Sequence, residues 1–156
     1  MTRTDRVGRW IDAPRESVYH ALVDRGALET WLPPEGMSGR IEHWDPRPGG
    51  GFRMVLTYLD ASGGPGRPPG KTTAATDVAD IAFVDLAPPE RVVQRVEFTS
   101  DDPSYAGTMT MTWECVEAAG GTEVTVTATE VPPGIERADH EAGIASSLAQ
   151  LARFVG

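Results

Sequence analysis

The feature that most constrains the fold of this chain is a change of hydrophobic period along it. Between residues 40 and 129 the apolar positions follow the two-residue period of β-strands, and between 135 and 155 they follow a helical period. The first part divides into six strand-like segments, at 40–45, 52–59, 74–86, 91–99, 108–116 and 123–129. A chain of this kind is expected to cover one face of a sheet with a single long helix.

The links between these segments are short and rich in residues that form turns, as at 87–89 and 118–121. Short links favour antiparallel hairpins over parallel crossovers. Within 108–115, Met109, Met111, Trp113 and Cys115 share one face, and three threonines occupy the other. The pattern predicts an antiparallel sheet with one apolar and one polar face.

The first 34 residues add an edge strand at 4–13 and two short helices. Pro14 suits the start of the first helix, and Asp24 suits the cap of the second, which ends at Pro33-Pro34. The fold class is therefore α+β, with an antiparallel sheet of six to seven strands wrapped around a long C-terminal helix and two short helices after strand 1. At 156 residues we expect one domain over residues 1–156.

The long helix is asymmetric in composition. Small residues dominate at 138–147, whereas leucines follow in its second half. One interpretation is a helix that is seated at its C-terminal end and leaves a pocket under residues 138–147. Close packing of the small residues against bulky side chains of the sheet explains the pattern equally well.

The charge of the chain argues against several classes of partner. It carries 23 acidic and 14 basic residues, a net charge of −9, so neither nucleic acid nor an anionic membrane surface is expected to bind. No secretory signal and no run of about 18 apolar residues is present, so we expect a cytoplasmic protein without membrane insertion.

Motifs for metals and nucleotides are absent or broken. The three histidines lie far apart and Cys115 is the only cysteine, so no metal site and no cofactor are predicted. Residues 65–72 resemble a phosphate-binding loop, but three prolines remove the N–H donors that such a loop needs. A flexible loop is the better interpretation of this segment, and its length and place at a strand end leave open a role as a lid over a pocket.

Several segments together resemble the SRPBCC superfamily, which includes START and birch-pollen-allergen proteins. The match rests on Trp31, on IDAPRESVYHALVD (11–24), DPRPGGGFR (45–53), LAPPERVVQ (86–94), GGTEVTVT (120–127) and HEAGIASSLAQLARFV (140–155). The chain is most similar to the branch named after the C-terminal domain of the activator of heat-shock protein 90 ATPase. This resemblance implies a helix-grip fold with a cavity between the sheet and the long helix.

Two departures from that branch bear on function. Ile144 stands where the long helix usually carries a tryptophan, which is expected to enlarge or reshape the cavity. The N-terminal domain that co-chaperones of this name carry is not among these residues, so activation of a chaperone ATPase is not expected. Members of the superfamily include lipid carriers, hormone binders and aromatic polyketide cyclases.

The predicted ligand-binding residues are flat aromatics and adaptable apolar side chains, which suit an apolar ligand and equally suit a packed core. They are Trp31, Met54, Tyr58, Phe98, Met109, Met111, Trp113 and Leu148.

His43 and Tyr58 are the weak candidates for catalysis. His43 shares a strand face with Ile41, so it would enter the pocket if that face points inward, although an exposed histidine is the favoured alternative. Tyr58 lies on the more apolar face of its strand, opposite Arg53.

The leading hypothesis is a protein that binds a small hydrophobic or aromatic molecule in this cavity. An enzyme of the polyketide cyclase or aromatase kind is the first alternative, and a chaperone-associated interaction module is the second. The sequence leaves homodimer formation open.

Overall fold

A computed structural model describes residues 3–59 and 76–156. Its elements in chain order are β1 (Thr4–Ile11), α1 (Arg15–Leu22), α2 (Arg25–Trp31), β2 (Met37–Asp45), β3 (Gly51–Tyr58), β4 (Thr76–Ala87), β5 (Arg91–Phe98), a 3₁₀ turn (Pro103–Tyr105), β6 (Met109–Ala118), β7 (Gly121–Thr129) and α3 (Arg137–Val155). The segment 65–72, for which a flexible loop is predicted, lies outside the described residues.

The seven strands form one sheet in the order β1-β7-β6-β5-β4-β3-β2, and every neighbouring pair is antiparallel. The first strand therefore lies at one edge and β2 at the other. The order confirms the predicted α+β helix-grip architecture, in which the strands from β2 to β7 pair with their neighbours in sequence and β7 pairs with the first strand.

The inner face of the sheet follows the predicted alternation. On β7, Val124, Val126 and Ala128 have no exposed surface, and on β6 Trp113 and Cys115 are buried as well. Because successive strand residues point to opposite faces, the intervening threonines and glutamates lie on the outer side.

The second short helix supplies one end of the core. The side chain of Asp24 accepts a hydrogen bond from the Ala27 amide at 2.8 Å, which confirms Asp24 as the N-cap. Prolines 33 and 34 lack the N–H groups that would continue the helix, so the last carbonyl groups of α2 need other partners.

The long helix provides those partners. Ser147 Oγ donates to the Leu32 carbonyl at 2.6 Å, and Gln150 Nε2 donates to the Trp31 carbonyl at 3.0 Å. Ser146 Oγ accepts from the Glu35 amide at 3.0 Å. These bonds fix the second half of α3 to the end of α2, so the polar residues inside the helix have a structural role.

In the ranges 3–59 and 76–156, no helix is long and apolar enough to cross a membrane.

Candidate functional site

A cavity of about 680 Å³ lies between the sheet and the first half of α3. Its floor is formed by the inner faces of four central strands. The floor residues are Phe52, Met54, Leu56 and Tyr58 on β3, Asp77, Ala79 and Ile81 on β4, Val92, Gln94, Val96 and Phe98 on β5, and Met109, Met111 and Trp113 on β6.

The roof comes from α3 and lies within the stretch 138–147 that the sequence predicts. It consists of Asp139, His140, Gly143, Ile144 and Ser147. A methyl group added at Gly143 would meet no atom within 4 Å, so the small side chain at this position faces open space rather than a tightly packed neighbour. The helix bridges a cavity here instead of packing closely on the sheet.

Seven of the eight predicted ligand-binding residues line the cavity: Trp31, Met54, Tyr58, Phe98, Met109, Met111 and Trp113. Leu148 does not line it and is a correction to the prediction. Like Leu151, it has no exposed surface, and both leucines belong to the core beneath the second half of α3.

His43 lies outside the cavity, on the exposed surface, as the favoured alternative predicts. The register of β2 shifts between Glu42 and Asp45, and His43 takes a positive φ of 58°. This β-bulge interrupts the alternation. Trp44 consequently packs inward, with its ring centroid 5.3 Å from that of Phe52. The idea that His43 supplies a polar group to the pocket is therefore wrong.

Tyr58 does line the cavity, on the same face of β3 as Met54 and Leu56. Arg53 points the other way and forms an exposed ion pair with Asp80 at 2.8 Å. The alternation along β3 thus places Tyr58 on the side that the sequence predicts.

Two polar floor residues were missed by the sequence analysis. Gln94 and Asp77 are buried and line the cavity among apolar neighbours. Their signal is positional, because Gln94 shares the parity of Val96 and Asp77 shares that of Ile81. A polar residue on the apolar face of a strand is the pattern that identifies them.

The third missed group is a paired histidine in the roof. His140 Nδ1 lies 2.8 Å from Oδ2 of Asp5, whose side chain is fully buried. Asp5 also forms ion pairs with Arg3 at 2.9 Å and with Arg137 at 3.2 Å. The pair places an oriented imidazole at the cavity wall.

The electrostatics of this cluster favour an ionised carboxylate. Burial raises the pKa of the Asp5 carboxyl, but hydrogen bonds from His140 and Arg3 and the positive charge beside it outweigh burial and hold its pKa below the ordinary value. An ionised carboxylate only accepts hydrogen bonds, so Nδ1 of His140 carries the hydrogen.

Two tryptophans form a rigid wall at the α2 end of the cavity. Trp31 and Trp113 meet edge to face, with ring centroids 5.6 Å apart. Trp31 Nε1 donates to the Ala21 carbonyl at 2.9 Å, and Trp113 Nε1 donates to Oε1 of Gln94 at 3.1 Å. Both indole N–H groups are satisfied inside the protein, which fixes the orientation of both rings.

Chemistry at the single cysteine is not supported. Cys115 is buried and does not line the cavity, and burial raises the pKa of its thiol to about 11 although Arg15 lowers it. A thiol with so high a pKa carries little thiolate near neutral pH. Among the residues that the structure describes, no three His, Cys, Asp or Glu side chains come together as a metal site.

Comparisons with known proteins agree with this fold. The model of the family "Activator of Hsp90 ATPase homolog 1-like protein" matches residues 12–156. A crystal structure of a Chromobacterium violaceum protein is 28% identical, with a TM-score of 0.84 over 97% of this chain and 96% of that one. A solution structure from Arthrobacter aurescens is 16% identical, with a TM-score of 0.78 over 97% and 85% of the two chains, and shows the fold alone. No curated protein matches the chain.

Proposed function

The chain belongs to the family of Activator of Hsp90 ATPase homolog 1-like proteins, and from that premise we propose that its cavity binds a small hydrophobic or aromatic molecule. Proteins with this SRPBCC fold commonly bind hydrophobic ligands. The proposal assigns such a role to the space between the sheet and the first half of α3.

The observation that carries the proposal is the size of the cavity together with its lining. A volume of about 680 Å³ falls within the range of about 300–1,000 Å³ that is typical of small-molecule sites. Most of the floor consists of apolar and aromatic side chains, with a few polar groups among them. A packed core of this size would not leave so large a space, because protein interiors are filled to the density of organic crystals.

The test is native mass spectrometry of the protein purified from its own host. We expect a co-purifying small molecule, and we expect the protein to bind diphenylhexatriene, an apolar fluorescent probe, after that molecule is stripped away. A protein that carries no molecule and binds no probe would overturn the proposal.

An enzyme of the polyketide cyclase or aromatase kind is the second candidate, and the pair of His140 with Asp5 favours it. Such chemistry needs an ionisable group inside the cavity, and a carboxylate that holds Nδ1–H of an imidazole orients the ring for proton transfer at its other nitrogen. Tyr58, which lines the floor, is the second polar group of this candidate site.

The two candidate functions predict different bound molecules in a variant of His140. Protein with His140→Gln, purified from the host, should hold a molecule of different mass from wild type if the residue acts in catalysis, because substrate replaces product. A carrier should hold the same molecule in both forms. The chaperone-associated module and the homodimer stay predictions.

A further inference from the structure

We propose that the cavity selects ligands with an uncharged hydrogen-bond acceptor, such as the carbonyl group of an aromatic ketone, and that the side-chain amide of Gln94 binds this acceptor. The inference rests on the proposed binding function and names the chemical class of the ligand.

The position of Gln94 is unusual for a polar residue. It lies in the middle of the inner face of β5, between Val92 and Val96, and only 7% of its surface is exposed. In the register of the sheet it pairs with Phe83 on one side and with Met111 on the other. An amide in such surroundings is costly unless its donors and acceptor are satisfied.

Trp113 fixes which end of the amide faces the cavity. An indole Nε1–H can only donate, so the Gln94 atom 3.1 Å from it must be the carbonyl oxygen Oε1. Trp113 stands opposite Val92, two residues along β6 from the direct partner of Gln94, and this diagonal spacing lets the two side chains meet. The NH₂ group is therefore turned away from Trp113.

The two N–H groups of Gln94 need an acceptor. Within residues 3–59 and 76–156, the Trp113 bond is the only hydrogen bond of the Gln94 side chain, and Gln94 lines the cavity. An apolar ligand that fills the cavity would cover these N–H groups and leave them without a partner, whereas a ligand that supplies an acceptor gains a hydrogen bond.

The donor is held in place before any ligand arrives. Trp113 packs edge to face on Trp31, whose own N–H is bonded to the Ala21 carbonyl. The orientation of the amide thus depends on a chain of fixed contacts that reaches the body of α1. Such preorganisation favours specificity, because little freedom is lost when the ligand binds.

The charges around the cavity indicate that the acceptor is uncharged. Four acidic residues line it, Glu35, Asp77, Glu136 and Asp139, whereas none of the lining residues that the structure describes is Lys or Arg. A carboxylate ligand would be repelled by these charges, and His140, the described lining residue that can become cationic, is already paired with the Asp5 carboxylate. A ketone, ester or amide oxygen meets the same donor without that penalty.

The floor side chains around Gln94 indicate that the rest of the ligand is flat and aromatic. Trp113, Met111 and Phe98 line the floor around Gln94, and an aromatic body against them would bring its carbonyl oxygen to the amide.

The experiment uses Prodan, a naphthalene with a propionyl group, and an analogue in which propyl replaces propionyl. Wild type should bind Prodan about tenfold more tightly than the analogue, the worth of one good hydrogen bond. Gln94→Met keeps the shape and removes the donors, so this preference should disappear and the emission of bound Prodan should move to shorter wavelength. Leu151→Met, a change in the buried core of α3 at a residue that does not line the cavity, should keep the preference.

A second measurement needs no variant. The carbonyl stretching band of Prodan bound to wild type should lie at lower wavenumber than in hexane, because a donor weakens the C=O bond. An unshifted band, or equal affinity for the two probes in wild type and in Gln94→Met, would overturn the inference and leave the binding function standing. Failure of both probes to bind would overturn the binding function itself.

Discussion

Nδ1 of His140 lies 2.8 Å from the carboxylate Oδ2 of Asp5, although 135 residues separate them in sequence. The contact joins the first turn of α3 to the edge strand β1. It also connects the cavity to a buried charge, since His140 lines the cavity and its partner Asp5 is fully buried. The pair therefore links the stability of the N-terminal end of α3 to the shape of the site.

Replacing Asp5 by Asn should destabilise the protein by about 3 kcal/mol at neutral pH, because Arg3, Arg137 and His140 would lose a buried carboxylate partner. The folded state lowers the pKa of Asp5, so its contribution is complete above the unfolded value of about 3.9 and is lost as the pH falls through the lower folded value. Urea unfolding should therefore show a constant difference between wild type and variant from about pH 7 to about pH 5, and a difference that narrows below about pH 4.

The matched control is Asp80→Asn, which breaks the exposed ion pair with Arg53. That variant should lose much less stability than Asp5→Asn, because solvent screens exposed pairs. Equal losses in the two variants, or a gap between wild type and Asp5→Asn that does not narrow below about pH 4, would contradict the role assigned to Asp5.

Local sequence patterns were sufficient for the sheet and for six of the fourteen residues of the cavity floor. The alternation of Met109, Met111 and Trp113 on β6 survives in the structure because a regular strand preserves parity. The same argument could not decide between an inward and an exposed His43, since one bulge residue with positive φ reverses parity for the side chains that follow. A bulge depends on how two strands meet, and it leaves little trace in the sequence of one of them.

The polar groups of the site differ in how far sequence could reveal them. The sequence was sufficient to place Gln94 on the buried face of its strand, because Gln94 alternates in step with Val92 and Val96. The partnership of Asp5 with His140 was not, because it depends on where the N-terminal end of α3 comes to rest on β1. Contacts between the two ends of a chain follow from the whole fold rather than from any local period.

Ile144→Trp should close much of the cavity. Ile144 forms part of the roof, so a larger side chain there extends toward the floor. The space available should limit the cost of the extra volume to about 1–3 kcal/mol. We expect diphenylhexatriene binding to weaken at least about tenfold while the far-UV circular dichroism spectrum is unchanged.

Leu148→Met is the control for that variant, since Leu148 is buried on the same helix but does not line the cavity. A volume-conserving change there should cost less than about 1.5 kcal/mol and leave probe binding intact. Undiminished binding in Ile144→Trp would show that the probe sits elsewhere.

Gly143→Ala should stabilise the protein by about 1 kcal/mol, because glycine inside a helix is worse than alanine by that amount. The new methyl group meets no atom within 4 Å, so no clash offsets the gain. Gly121→Ala is the opposite case, since its methyl would lie 2.7 Å from the indole of Trp10, and it should destabilise. Thermal unfolding of the three proteins measures both effects. A destabilised Gly143→Ala would mean that α3 packs against its neighbours at this residue, and that the space beneath the helix is smaller than the cavity described above.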